Sequence, residues 1–248
     1  MLVEEAGDPD GPPILMLHGF LSSNAQWDLN RDALGKRYRL LMVELPGHGR
    51  SPALEHADDY TIAALVAELE ALRAAHDVER WWVCGQSLGG AIAILYCLAH
   101  PERVLGLVFT NTRAAFGIQR QGVSANSGVP PQITSTRDLA VHPINAKRLP
   151  EPVKQRLVDA ADAMDIGAVN HFLGRRHTWK STERMNELAM PVLLVNGRWE
   201  KAFQPFVDQA GELIPDLRVV TLEGGHAINA EQPDQFNRAV AEFIAGYA

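Results

Sequence analysis

The stretch VCGQSLGGAIAIL, residues 83–95, decides the fold. An apolar run with strand character, Trp81 to Gly85, gives way almost at once to one with helical character, Leu88 to Ala99, and Ser87 stands at the junction in G-x-S-x-G spacing between Gly85 and Gly89. A strand that turns straight into a helix needs a sharp corner. Glycines on either side remove the side chains that would collide there, and a serine at the corner has its hydroxyl pushed clear of the sheet. The helix that follows offers unpaired N–H groups and the positive end of its dipole to developing negative charge. Gly90, Ala91 and Ala93 let that helix pack closely on the sheet.

Working outward, further apolar runs read as strands at Ile14 to Leu17, Arg39 to Leu45, Val104 to Thr110, Val192 to Asn196 and Arg218 to Leu222. Helical periodicity falls between them, at Thr61 to Ala75 with Thr61 as cap, at Leu88 to Ala99 and at Pro233 to Ala245. Alternation of this kind predicts an α/β fold, a mostly parallel central sheet with helices on both faces. Ligands in such sheets bind beyond the carboxyl ends of the strands, so the loops after each run are the places to search. The rhythm breaks after Arg113, where QRQGVSANSGVPPQ reads as loop and Pro152 to Met164 and Ile166 to Gly174 read as helices without a strand among them. The expected organisation is a core of residues 1–112 and 188–248 with a small helical cap, 113–187, between them, since structureless connections of that length are uncommon.

Bulk properties narrow the function. The 248 residues suit one large domain, and 46% hydrophobic with 21% charged residues is ordinary for a globular protein. A formal charge of -7 without a Lys/Arg stripe argues against nucleic acid as a partner. No apolar run is long enough to cross a bilayer, and the acidic start MLVEEAGDPD lacks the positive region of a secretory signal, so a cytoplasmic location without membrane association is expected. Cys84 and Cys97 flank the elbow in apolar surroundings and read as small buried hydrophobes, not a disulfide. No metal-ligand spacing occurs among the nine histidines, and no cofactor is implied. The expected partner is a small-molecule substrate, the expected state a monomer or homodimer.

A serine hydroxyl needs a base to take its proton. His226, in LEGGHAIN after the strand at Arg218, is the best placed histidine; His18 and His48 belong to glycine loops that they are expected to hold together. His56, His76, His100, His142, His171 and His177 are read as solvated. The orienting carboxylate is read as Glu200, on the loop after Val192 to Asn196, with Asp208, Asp216 and Glu223 as weaker choices. Arg113, with Arg120, Arg175 and Arg176, is a candidate receptor for an anionic substrate. Trp27, Phe20, Phe116, Phe172 and Trp199 are candidates for apolar pocket walls.

These residues resemble the α/β-hydrolase superfamily, in which the triad follows the chain order Ser, acid, His. HGF at 18–20 is similar to the oxyanion loop, LPGHGRS at 45–51 to the loop after the next strand, and GQSLGG to the nucleophile elbow; AHPERVLGLVFTN, PVLLVNGRWE and GGHAINAEQPDQF are similar to later strand blocks. The resemblance implies a cap inserted after the sixth canonical strand, Ser87 as nucleophile, His226 as general base, Glu200 as acid, and the backbone N–H groups of Phe20 and Leu88 as oxyanion hole. Two positions depart from the common pattern, Glu200 and Glu44, where relatives most often carry aspartate. Cleavage of a small carboxylic ester, lactone or thioester is the implied reaction, with small esterases, enol-lactonases and SHCHC synthases as the most similar branches. The SHCHC synthase branch commonly has arginine after the elbow where this chain has Ala91. The same triad also serves C–C bond hydrolases and lyases, and a noncatalytic ligand binder is the reading outside enzymology.

Overall fold

A computed structural model describes residues 1–117 and 132–247. Seven strands, β1 (Leu2–Gly7), β2 (Pro13–Leu17), β3 (Arg39–Glu44), β4 (Trp81–Gln86), β5 (Val104–Thr110), β6 (Val192–Gly197) and β7 (Leu217–Leu222), form one sheet in the order β1-β3-β2-β4-β5-β6-β7. Six are parallel, and β1 pairs antiparallel with β3 along the outer edge. The helices are α1 (Asp28–Leu34), α2 (Ile62–Ala75), α3 (Leu88–Ala99), α4 (Arg113–Phe116), α5 (Glu151–Asp162), α6 (Ile166–Arg175), α7 (Gln204–Leu213), α8 (Ile228–Glu231) and α9 (Pro233–Ala245).

The two faces follow from strand alternation. Leu15, Leu17, Leu41, Val43, Val83, Leu107 and Phe109 point to the side covered by α2 and α3, whereas Ile14, Met16, Leu40, Met42, Trp82, Cys84 and Val108 point to the side covered by α1 and α9. Being buried on both faces, the central strands are continuously apolar. Cys84 and Cys97 are both free and buried.

Besides the single-turn helices α4 and α8, two elements depart from the sequence expectation. β1 was not expected, because Glu4 and Glu5 interrupt its apolar pattern; they face outward to Arg31 at 2.9 Å and Arg39 at 2.9 Å. α1 was not expected either, since its buried face carries Asn30, which bonds to Asn229 and Asn237. The helices α5 and α6 fall close to their expected positions in the long connection between β5, the fifth strand in chain order, and β6. Among the described residues no helix is long and apolar enough to cross a membrane.

Candidate active site

Ser87 leaves the end of β4 with φ +53 and ψ -113, a left-handed conformation that L side chains rarely adopt. The corner is tight enough to explain both flanking glycines. A Cβ on Gly85 would lie 2.4 Å from the carbonyl oxygen of Gly89, and one on Gly89 would lie 2.1 Å from that of Leu17. The Ser87 N–H donates to the Thr110 carbonyl at 3.2 Å, which ties the corner to the neighbouring strand β5.

The loop after β2 runs alongside. A Cβ on Gly19 would come within 2.3 Å of Gln86 Oε1 and 3.3 Å of Ser87 Cβ, so only glycine lets this backbone approach the serine. Leu21 follows with φ +53. The N–H of Phe20 has no acceptor among the described residues, and that of Leu88, at the first position of α3, is one of the donors a helix leaves unpaired. His18 holds the loop as expected: its Nδ1–H donates to Gly19 O at 2.8 Å and its Nε2 accepts from the Leu45 N–H at 3.2 Å. His48 donates to Pro46 O at 3.0 Å. Burial pushes both rings down, to about 4 and about 3, so they stand neutral. Glu44 keeps the same region together, accepting from the Arg50 N–H at 2.6 Å and the Asn24 N–H at 3.4 Å.

His226 lies on the loop after β7, with Nδ1 3.7 Å from Glu200 Oε2 on the loop after β6. That is ion-pair range and longer than a hydrogen bond, a spacing common in catalytic pairs before substrate tightens them. The protein around it desolvates the imidazole and lowers its pKa; Glu200 acts in the opposite sense, while Arg113 adds to the lowering. The ring side chain nonetheless keeps 46% of its surface open toward the cavity, which limits that depression. Of the weaker carboxylate choices, Asp208 sits within α7 and Glu223 pairs with Arg198 at 2.7 Å.

Three residues that sequence reading passed over hold these loops. Asn111, fully buried at φ +35, donates from Nδ2 to the carbonyls of Gly225 at 2.9 Å and His226 at 3.1 Å and accepts from the Gly197 N–H at 3.2 Å. One side chain thereby joins the acid loop to the histidine loop. Glu231 accepts from the N–H groups of Gly225 at 2.7 Å and Ala227 at 3.3 Å. Gln86 donates to His226 O at 3.3 Å. The only sequence signal was their position beside the motifs.

All of this opens into one cavity of about 660 Å3, bounded by Ser87, His226, Glu200, Phe20, Leu88 and, from the α5 side, residues 139–143 and 145–149. Arg113, Trp199 and Phe172 line it. Trp27 and Phe116 do not. Trp27 is fully buried on the opposite face of the sheet against Phe236, and Phe116 packs with Phe203 and Phe206 in the core. Arg175 is engaged elsewhere, donating to Ala57 O at 3.1 Å and pairing with Asp58 at 3.0 Å. Arg120 and the side chain of Arg176 lie outside the described residues. His142 is not solvated: it is buried in the cavity wall, with Nε2 3.2 Å from Asp162 Oδ1. Among the described residues no cluster of His, Cys, Asp and Glu is arranged to hold a metal.

Known proteins are similar to this chain over almost its full length. A pimeloyl-[acyl-carrier protein] methyl ester esterase of Aeromonas hydrophila is 28% identical, with 94% of this chain and 96% of that protein aligned. A putative 2-succinyl-6-hydroxy-2,4-cyclohexadiene-1-carboxylate synthase of Bacillus subtilis is 24% identical over 98% of this chain and 93% of that one. The crystal structure of the enol-lactonase from Burkholderia xenovorans superposes with a TM-score of 0.84 at 21% identity, covering 98% and 96% of the two chains, and shares the fold. The family model of the alpha/beta hydrolase fold matches residues 12–233, from the start of β2 into α9, and the chain belongs to that family.

Proposed function

We propose that this hydrolase cleaves a small carboxylic ester, lactone or thioester through an acyl-enzyme on Ser87. The observation that carries the reading is the strained elbow: Ser87 is held at φ +53 at the mouth of α3, facing the cavity that His226 and Glu200 also line. Strain of this kind persists only where surrounding structure enforces it, and here it presents a hydroxyl to a pocket.

With Nδ1 turned toward Glu200, His226 presents Nε2 to the cavity as the proton acceptor. Ser87 Oγ gives its proton to that nitrogen and bonds to the substrate carbonyl carbon; the carbonyl oxygen takes the electron pair and is held by the N–H groups of Phe20 and Leu88. Donors placed in this way contribute about 3 kcal/mol each to transition-state stabilisation. The imidazolium returns its proton to the leaving oxygen or sulfur as the tetrahedral centre collapses. Water then repeats the cycle on the acyl-enzyme, with His226 again as base. The lowered pKa of His226 keeps the imidazole neutral and ready at neutral pH, and Glu200 stabilises the cation that forms. The described residues of the 113–187 connection, including α5 and α6, act as a cap that walls the cavity with apolar and basic side chains and selects what enters.

The test is intact-protein mass spectrometry after a fluorophosphonate, with p-nitrophenyl acetate turnover on the same samples. Wild type is expected to gain one adduct on Ser87 and to turn over ester, and Ser87→Ala to do neither while remaining folded. Near-native turnover by Ser87→Ala would end the reading.

A further inference from the structure

The cavity has two carboxylates in its wall, and both are committed: Glu200 to His226, and Glu231 to the N–H groups of Gly225 and Ala227. It has three permanent cations, Arg113, Lys147 and Arg148, none of which pairs with a carboxylate among the described residues. Residues 118–131, the nearest stretch in sequence to Arg113, contain no Asp or Glu. Arg148 is exposed but held in place. Its guanidinium lies 4.8 Å over the ring of Trp199, the one tryptophan of five with substantial exposure, at 44%. Stacking of this kind holds the charge in place and leaves its N–H edge free for an anion.

Two of the three cations can be placed against the Glu200–His226 pair. Trp199 immediately precedes Glu200, and Arg113 lies two residues past Asn111, whose amide grips the His226 carbonyl. Arg113 is thus close enough to act on the charge of the imidazole, and Arg148 reaches the neighbour of the carboxylate that faces it, with Lys147 next to Arg148 in the chain. A general acid must touch the leaving atom, so the leaving group of any substrate lies on the imidazole side of the tetrahedral centre. We infer that the preferred substrates are esters or thioesters whose leaving alcohol or thiol carries an anionic group, a carboxylate or phosphate, received by Arg113, Lys147 and Arg148. This rests on the serine-hydrolase reading and adds to it the charge of the substrate and the side on which that charge lies.

The experiment compares kcat/KM for 4-acetoxybenzoate and 4-acetoxyphenyl phosphate with that for neutral methyl 4-acetoxybenzoate, each divided by its spontaneous hydrolysis rate. Monophenyl adipate against phenyl hexanoate places the charge on the acyl side instead. Wild type is expected to favour the anionic leaving groups, the larger preference identifying carboxylate or phosphate as the better fit. Arg148→Met is expected to lower that ratio about fivefold, as for a solvent-accessible ion pair at the upper end of its range. Removing all three cations should bring it close to one, and about 0.5 M salt should erode it in wild type. Arg175→Met, off the cavity, should leave it unaltered. A ratio near one in wild type, or one that Arg148→Met does not move, overturns the inference while leaving the hydrolase reading intact. Preference for monophenyl adipate alone overturns the assignment of side. If no ester is turned over, the hydrolase reading fails, and calorimetric titration of 4-hydroxybenzoate decides the anion site separately: binding weakened by Arg148→Met supports it, and absence of binding overturns it.

Discussion

Replacing Asn111 by alanine tests whether the acid and histidine loops are held by one side chain. The substitution removes three hydrogen bonds at a fully buried position. The His226 carbonyl keeps a second donor in Gln86, but the Gly225 carbonyl and Gly197 N–H lose their side-chain partner. A buried group left unpaired costs about 1–3 kcal/mol, and a β-carbon at φ +35 without the local bonding that lets asparagine adopt it costs about 1 kcal/mol more. The expected loss is about 4 kcal/mol, a large part of the ~5–15 kcal/mol of a typical domain, with a fall in melting temperature of about 10 °C. Turnover should fall by more than stability alone explains, since Glu200 and His226 are no longer fixed relative to one another; about a hundredfold in kcat is expected for lost alignment. Asn111→Asp separates bonding from packing. It retains an acceptor for Gly197 but sets a carboxylate against two carbonyl oxygens, which raises its folded-state pKa above the unfolded value. The neutral form is then the tolerated one, so this variant should be least destabilised near pH 4 and lose stability as pH rises through the folded pKa. Urea unfolding at several pH values with p-nitrophenyl acetate kinetics measures both effects. A folded Asn111→Ala protein with kcat within about threefold of wild type would refute the reasoning.

Glu200→Gln should reduce kcat/KM by about a hundredfold or more, while Asp208→Asn, in α7 and away from the imidazole, should change it little; comparable losses would move the acid. In the proposed mechanism His226 works as the neutral base, so activity should be full above its pKa and be lost as pH falls through it, with a midpoint below 6.5. Relative to wild type, Glu200→Gln removes a charge that raises this pKa and should shift the acid limb of kcat/KM to lower pH; Arg113→Met removes one that lowers it and should shift the limb upward. Movement in the same direction would contradict the electrostatics. Trp27→Ala should cost about 3–5 kcal/mol in unfolding experiments with KM unaltered, and Trp199→Ala should alter KM with stability kept within about 0.5 kcal/mol.

The sheet was legible because its geometry forces a simple pattern. Strands buried on both faces read as unbroken apolar runs, and the elbow wrote itself as glycine on either side of a serine because backbone stands where a Cβ would go. The edge escaped detection for the opposite reason. In β1 the glutamates are stabilised by arginines remote in sequence, so local pattern carries no trace of the pairing with β3. The same holds for α1, whose buried asparagine is satisfied only by residues near the other end of the chain.

The site residues divide along the same line. Ser87, His226 and Glu200 each follow a strand, and the direction of a parallel sheet brings such positions together whatever the loops contain. Side-chain direction within a loop is another matter. Trp27 lies a few residues past the glycine loop that follows β2, yet the turn from Asn24 to Trp27 delivers its ring to the far side of the sheet against Phe236, so nearness in sequence to the site misassigned it. Arg148 and His142 belong to a mixed stretch with no periodicity and acquire their place only when that stretch folds over the cavity, one against Trp199 and the other against Asp162. Chemistry that the sheet positions is thus readable from short motifs, whereas selectivity set by loops packing on loops depends on contacts between distant segments. That is why the sequence offers Arg113 as a receptor for an anion, whereas its companions Lys147 and Arg148 emerge only once all three are seen lining one cavity.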